Sequence, residues 1–225
     1  MMEESKGCFL AGEAVYLRPR IKEDAPYLWR MFNEESLRYL IGGTRPSNMK
    51  DIETSIDNPR EDAIWFSIIR KEDDQTIGET GLLRMFPEWG TTDLSIIIPD
   101  EVDRGMGYGT DAIILMLKYA FGYMNFNRVA IGVVGFNHKA LRFYEKIGFI
   151  KEGIQEQGYY HNFEYSDFVM MRILKHEYVA KAYGAANQVK VSVLDDCIVN
   201  RSEVFPAVAP DPATGETPKP PPKAK

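Results

Sequence analysis

The sequence is poor in the residues that build metal centres and disulfide frameworks. It has two cysteines, Cys8 and Cys197, near opposite ends of the chain, and three scattered histidines. Because neither a CxxC spacing nor a Cys/His group occurs, we expect reduced thiols and no bound metal. The N-terminal residues are acidic, and no run approaches the ~18 apolar residues that a membrane helix needs. We therefore expect a cytoplasmic protein without a signal peptide or a membrane contact.

An excess of basic charge is also absent. The formal net charge is −6 and the isoelectric point is near 5.2, which argues against a nucleic acid as the partner. A mildly acidic surface tolerates cationic substrates. What the sequence does have is 44% hydrophobic and 12% aromatic residues over 225 positions, enough for one core and too little to require two domains.

Hydrophobic periodicity predicts a mixed α/β chain. Alternating or continuous apolar runs predict strands, and apolar residues at helical spacing predict helices. The expected strands are 15–17, 63–70, 76–85, 94–98, 128–134, 154–160 and 167–174. The 94–98 strand is apolar enough to be buried on both faces. The expected helices are 23–40, either continuous or broken at Asn33, then 49–56, 110–121 with Gly122 as its stop, and a helix from the N-cap Asn137 to Ile147.

The two ends of the chain carry weaker patterns. Residues 1–13 form an N-terminal lead. In the 179–204 extension, Val189, Val191 and Val193 alternate with polar residues and predict either an edge strand or a dimer contact. Seven prolines follow Phe205, and a segment of this composition cannot bury a core. We expect 205–225 to be a disordered, partly polyproline tail.

A glycine-rich loop, Arg104-Gly105-Met106-Gly107-Tyr108-Gly109, lies between a predicted strand and the helix that begins at Thr110. Glycines allow a tight turn whose backbone N–H groups point outward, and the helix N-terminus adds a partial positive charge. The loop therefore suits a pyrophosphate, although an unliganded turn fits the same residues. The Walker and dinucleotide-binding motifs are excluded by the residues that follow and by the glycine spacing.

A second motif runs from Asn137 to Phe149. Ala140, Tyr144 and Ile147 share one face of the predicted helix, which presents Tyr144 to the sheet. A tyrosine in this position serves either as a core residue or as a proton donor.

Together these motifs resemble those of the GNAT N-acetyltransferase family. The family's Arg/Gln-x-x-Gly-x-Gly/Ala loop and its Asn-x-x-Ala-x-x-x-Tyr-x-x-x-Gly-Phe pattern are matched, in order, by Arg104, Gly107, Gly109, Asn137, Ala140, Tyr144, Gly148 and Phe149. The likeness covers residues 14–178. It implies a mixed, mostly antiparallel central sheet that is splayed in a V and flanked by helices on both faces.

Within this family the chain resembles the spermidine acetyltransferases and the ribosomal-protein N-terminal acetyltransferases. The likeness is carried by 119–121 before Asn125, by Glu152-Gly153, and by Tyr165 with Asp167. One departure concerns 40–45, which are apolar and basic where the spermidine enzymes carry an acidic cluster.

The resemblance implies acetyl-CoA as co-substrate, held in the V. Backbone groups of Ile96, Ile97 and Ile98 would pair with its pantetheine arm and supply an oxyanion donor. Backbone N–H groups of Arg104, Gly105, Met106, Gly107, Tyr108, Gly109 and Thr110 would bind the pyrophosphate. Asn137 would contact the pantetheine or cap its own helix.

The implied reaction is direct attack of an amine on the thioester. Tyr144 would protonate the departing thiolate, since their pKa values, ~10 and ~8.5, are close. Asp93 would act as base through water, with Glu79 and Glu88 as alternatives. Glu34, Glu35 and Tyr159 would bind the acceptor.

The acceptor is expected to be a small polyamine-like molecule, an amino sugar or a peptide N-terminus. Two other readings stay open: a non-catalytic acyl-CoA-binding regulatory module with the same fold, and an unrelated nucleotide binder. A homodimer through the C-terminal segment is a further expectation.

Overall fold

The computed structural model describes residues 7–183. Residues 184–225, which include Val189, Val191, Val193 and the whole tail, lie outside the described residues. Residues 7–181 belong to one compact unit. None of the helices in the described part of the chain is long and apolar enough to span a membrane.

Eight strands form one open sheet in the order β1-β2-β3-β4-β5-β6-β8-β7. Neighbouring strands are antiparallel except for β5 and β6, which are parallel. This confirms the predicted fold class. The strands are β1 Leu10–Ala11, β2 Val15–Pro19, β3 Ile64–Arg70, β4 Thr76–Phe86, β5 Thr91–Ile97, β6 Arg128–Val134, β7 Ile150–His161 and β8 Glu164–Leu174.

Helices cover both faces of the sheet because alternate residues of the strands point to opposite sides. Leu94 of β5 joins the larger hydrophobic core, which contains α4 and α5. Ile97 joins a second cluster with α1, α2 and α3. The helices are α1 Ala25–Asn33, α2 Glu35–Ile41, α3 Met49–Asp57, α4 Tyr108–Lys118, α5 His138–Ile147 and α6 Lys175–Tyr183.

Some predicted boundaries differ from those observed. The helix expected over 23–40 is two helices, because Glu34 adopts an extended conformation between α1 and α2. Helix α4 does not stop at Gly122: it continues as a π-helical turn, Tyr119–Tyr123, and the chain reverses at Asn125, where φ is 57°. Strand β5 begins at Thr91, and its Ser95 and Ile96 are only half-buried, so it is not covered on both faces.

The face beneath α1 contains a buried ion pair. Arg18 donates two hydrogen bonds to Asp24, at 2.7 and 2.8 Å. The same carboxylate accepts from the hydroxyls of Ser67 and Thr76 and from the Ile21 N–H. Burial alone would raise the pKa of Asp24, but these donors outweigh burial and hold that pKa below its ordinary value.

Glu79 of β4 lies nearby and is fully buried. Its Oε2 is 3.6 Å from Nη1 of Arg20, and neither carboxylate oxygen has a hydrogen-bond partner among the described residues. Burial raises the pKa of Glu79 to about 7, although Arg20 opposes this shift.

Glu79 is expected to make the protein less stable as the pH rises from about 5 to about 8. Because its folded pKa of about 7 exceeds the ordinary 4.5, the native state keeps a proton that the unfolded chain has released. The free energy of unfolding should therefore fall, by up to about 1.4 kcal/mol per pH unit. Urea titrations at four pH values would measure this slope.

The matched variants are Glu79→Gln, which removes the titration, and Glu61→Gln, which changes an exposed glutamate. We expect a flatter slope in the first and the wild-type slope in the second. Equal slopes in all three proteins would contradict the raised pKa.

Candidate active site

The site is a gap between the two parallel strands. Pairing of β5 with β6 is limited to Thr91–Asp93 against Arg128–Ala130. Beyond these residues the strands separate, and a cavity of about 1210 Å³ opens between them. Its walls include Leu94 to Ile98 of one strand and Ile131 to Val134 of the other. This is the predicted V-shaped opening.

One end of the cavity is formed by the glycine-rich loop. Gly105 and Gly107 have φ values of 81° and 90°. Residues other than glycine adopt such positive φ values only with strain. The Arg104 side chain donates to the carbonyls of Ile98, at 3.1 Å, and Pro99, at 2.6 Å. These hydrogen bonds tie the loop to the end of β5.

Helix α4 begins directly after Gly107, so its N-terminus faces this end of the cavity. Gly109 and Thr110 of its first turn also line the wall. Unpaired N–H groups and the helix dipole together favour an anion here. Met106 and Tyr108 do not line the cavity: Met106 is exposed and Tyr108 packs against the core.

Strand β5 presents backbone to the cavity. Its other edge pairs with β4 as far as Ile97, whereas the edge toward β6 has no strand partner beyond Asp93 among the described residues. Ile96, Ile97 and Ile98 all line the wall. An extended chain placed in the gap could therefore take up these backbone groups as a neighbouring strand would.

Tyr144 reaches the middle of the cavity from α5. It is 7% exposed and is held by ring contacts with Phe143, at 5.2 Å, and Phe149, at 5.6 Å. Its backbone carbonyl accepts the Gly148 and Phe149 N–H groups at the end of the helix. Burial raises the pKa of Tyr144, so the hydroxyl keeps its proton at working pH.

Asn137 both lines the cavity and caps α5. Its Oδ1 accepts a hydrogen bond of 3.1 Å from the Ala140 N–H. This is the geometry of an N-cap, which stabilises a helix by about 1 kcal/mol. The capping alternative is therefore confirmed, and a pantetheine contact stays a prediction.

The opposite end of the cavity is aromatic. Tyr39 of α2 stacks on Phe136, with centroids 5.8 Å apart, and Tyr159 of β7 meets Phe136 edge to face at 6.1 Å. The Tyr159 hydroxyl donates to the Tyr39 backbone carbonyl. We call Tyr39, Phe136 and Tyr159 the aromatic wall.

A gap between parallel strands, an anion-binding loop and a buried tyrosine are thus brought together. A protein-family model described as an acetyltransferase (GNAT) domain matches residues 14–150, more than half of the chain. The chain belongs to the GNAT acetyltransferase family. This confirms both the predicted family and the predicted class of enzyme, an N-acetyltransferase.

Relatives of this GNAT protein include spermidine N(1)-acetyltransferase of Escherichia coli (strain K12). The two are 26% identical over 172 residues, 76% of this chain and 91% of that protein. YjcK of Bacillus subtilis (strain 168) is 30% identical over 115 residues, 51% of this chain and 64% of that protein.

Solved structures share the fold. Spermidine N-acetyltransferase from Vibrio cholerae, in complex with CoA and spermine, superposes with a TM-score of 0.69 at 21% identity, over 74% of this chain and 98% of that one. A GCN5-related N-acetyltransferase from Brucella melitensis gives 0.65 at 21%, over 81% and 88%.

Asp93, the predicted base of this GNAT protein, is not in the cavity. It lies at the closed end of the V, where β5 and β6 are still paired, and it forms an ion pair with Arg84. The alternative Glu79 is sealed beneath α1, and Glu88 also lies outside the described lining. Asp93 therefore does not line the cavity, because strand separation begins only after it, and its role as a base through water stays a prediction.

Glu34 and Glu35 are likewise absent from the described lining. Glu34 occupies the exposed break between α1 and α2, where it accepts a hydrogen bond of 2.5 Å from the Ser36 hydroxyl. The backbone break turns both carboxylates to solvent, which corrects the prediction that they bind the acceptor. Tyr159 does line the cavity, as predicted.

We call the end of the cavity at the aromatic wall the acceptor end, and apart from Tyr159 sequence reasoning did not single out its aromatic side chains. Tyr39, Phe136 and Phe168 belong to three separate elements, and nothing local distinguishes them from ordinary aromatic residues. One signal existed: Gly132 interrupts the apolar strand β6, and a Cβ there would collide with the Phe168 ring. A glycine within a strand often marks such a close approach.

Proposed function

We propose that this protein transfers the acetyl group of acetyl-CoA to a primary amine by direct attack on the thioester. The observation that carries the proposal is the arrangement of Tyr144 in the gap between β5 and β6, with the glycine-rich loop at one end of the same cavity. Acetyl-CoA fits this arrangement. The loop and the N-terminus of α4 suit its pyrophosphate, and the open edge of β5 suits its pantetheine amides.

Tyr144 is the general acid of the proposed reaction. The attack expels a thiolate, and the hydroxyl of Tyr144 donates its proton to that sulfur. Burial raises the pKa of Tyr144, so the hydroxyl is protonated and can supply the proton that the departing thiolate takes up.

The backbone of β5 stabilises the other developing charge. N–H groups at Ile96 to Ile98 that face the gap can donate to the oxyanion of the tetrahedral intermediate. The amine has to attack as the neutral species. No carboxylate lines the acceptor end among the described residues, so its proton leaves through water in the cavity mouth.

The proposal is tested by combining a binding assay with a turnover assay. Acetyl-CoA should raise the melting temperature, and a panel of primary amines should release free CoA. Gly107→Ala should raise the KM for acetyl-CoA by about tenfold, since a side chain at φ 90° strains the loop by ~1–2 kcal/mol. The matched control is Gly122→Ala, where a Cβ meets no atom within 4 Å and φ is not positive.

The outcomes separate the competing functions. Binding of acetyl-CoA with no turnover on any amine would favour the non-catalytic acyl-CoA-binding module. A protein that neither binds acetyl-CoA nor releases CoA would contradict both. If the Gly107→Ala and Gly122→Ala variants have equal KM values for acetyl-CoA, the proposal that the loop binds the pyrophosphate is contradicted.

A further inference from the structure

The acceptor end of the cavity is mostly apolar. Besides the aromatic wall, it is lined by Leu40 and Ile41 of α2, by Phe168 of β8, and by the uncharged Gln155 of β7, which pairs with Phe168. Phe168 lies directly over Gly132, where it fills the space that any side chain at that position would need. A substrate group that enters here exchanges water for aliphatic carbon and aromatic rings.

The carboxylates of the cavity lie at its other end. Among the described lining residues, Glu101 and Asp103 are the acids. Both belong to the short 3-10 turn that leads into the pyrophosphate loop, and Asp103 is already paired with Arg70. Additional ammonium groups of a polyamine would therefore enter the acceptor end without a counter-ion, and burying an unpaired charge is costly.

The aromatic wall does not compensate as a cation-binding cage. Such a cage offers open ring faces to the ammonium group. Here Tyr39 and Phe136 are stacked on each other at an interplanar angle of 14°, so each covers one face of the other. Tyr159 and Phe136 meet edge to face, and the Tyr159 hydroxyl donates to the Tyr39 backbone carbonyl. The three rings of the aromatic wall therefore pack on one another instead of standing apart around an open space for an ammonium group.

We propose that the acceptor is a primary amine with one apolar substituent and no second charge near it. This inference rests on the proposed acetyl transfer. The apolar group occupies the acceptor end between α2, the aromatic wall and Phe168, and the amine faces the thioester beside Tyr144. A free arylalkylamine and the N-terminus of a peptide that begins with an apolar residue both have this chemistry.

The test compares kcat/KM on the full chain with saturating acetyl-CoA. The probes are 2-phenylethylamine, the peptide amide Leu-Gly-Gly, spermidine and glucosamine. We expect the better of the two apolar probes to exceed spermidine and glucosamine by at least about tenfold, the usual discrimination of an apolar pocket. The ranking of 2-phenylethylamine against the peptide identifies which source of apolar amine is used.

A designed carboxylate tests the cause of the preference. Ile41→Glu places an acid at the acceptor end, at a position that is 36% exposed and therefore tolerant of charge. The ratio of kcat/KM for spermidine to that for 2-phenylethylamine should rise by about tenfold. Ile114→Glu is the control, because this α4 residue is similarly exposed but lies outside the cavity lining.

The failures are distinguishable. Spermidine or glucosamine turned over as well as the apolar probes would overturn this inference and leave acetyl transfer intact. An unchanged ratio in Ile41→Glu would also overturn it. Absence of turnover with all four amines would overturn the proposed function, and this inference with it.

Discussion

Replacing Tyr144 by Phe is expected to lower kcat by about a hundredfold or more, the usual contribution of a general acid. The variant loses only the hydroxyl, so the ring contacts with Phe143 and Phe149 remain. The KM for acetyl-CoA should change little, because binding depends on the loop and on β5. Steady-state kinetics of CoA release, together with the melting temperature of the variant, measure both effects.

The matched control is Tyr119→Phe. Tyr119 is similarly buried, at 8% exposure against 7% for Tyr144, and burial raises its pKa too, but it does not line the cavity. We expect its kcat to stay within about twofold of the wild-type value, as for substitutions that remove no transition-state contact. A Tyr144→Phe enzyme as active as Tyr119→Phe would mean that the proton reaches the thiolate from water.

Replacing Asp24 by Asn is expected to destabilise the fold by about 3 kcal/mol. The carboxylate is 3% exposed and accepts five hydrogen bonds, two of them from Arg18. The amide leaves the mostly buried guanidinium of Arg18 without a counter-charge, and one of its two polar atoms can no longer accept. Urea unfolding would measure the loss as a lower midpoint at unchanged slope.

The matched control is an arginine–aspartate pair of the same kind that is exposed to solvent. Arg60 also donates two hydrogen bonds to one aspartate, Asp62, but its side chain is 76% exposed. Asp62→Asn should leave the urea midpoint nearly unchanged, because exposed ion pairs contribute little to stability. Equal losses in the two variants would show that burial does not set the strength of the Arg18–Asp24 pair.

The glycine-rich loop and Tyr144 could be predicted from the sequence because their signals are local. Gly105 and Gly107 take conformations that few other residues adopt, so the loop is visible as glycines at fixed spacing. The spacing of Ala140, Tyr144 and Ile147 on α5 is equally local, since one helical face follows directly from the 3.6-residue period.

The break between α1 and α2 had only a weak local signal at Asn33, one residue before its observed position at Glu34. The extension of α4 past Gly122 had none. Apolar periodicity continues across both places, and a helical period does not distinguish one helix from two. Because of this break, Glu34 and Glu35 are exposed to solvent and are not among the described residues that line the cavity. Asp93 lies outside the cavity lining for a related reason: no local pattern shows the residue at which β5 separates from β6.

The sequence by itself determined the order of the strands and helices from β2 to β8, the glycine-rich loop and the tyrosine that faces the sheet, because each depends on residues within one or two turns. Only the tertiary structure decided the character of the acceptor end. Tyr39, Phe136, Tyr159 and Phe168 come from α2, the β6–α5 connection, β7 and β8, and they meet only because the parallel strands separate after Asp93. Contacts between residues so far apart in the chain depend on the packing of the whole sheet, which no local pattern encodes.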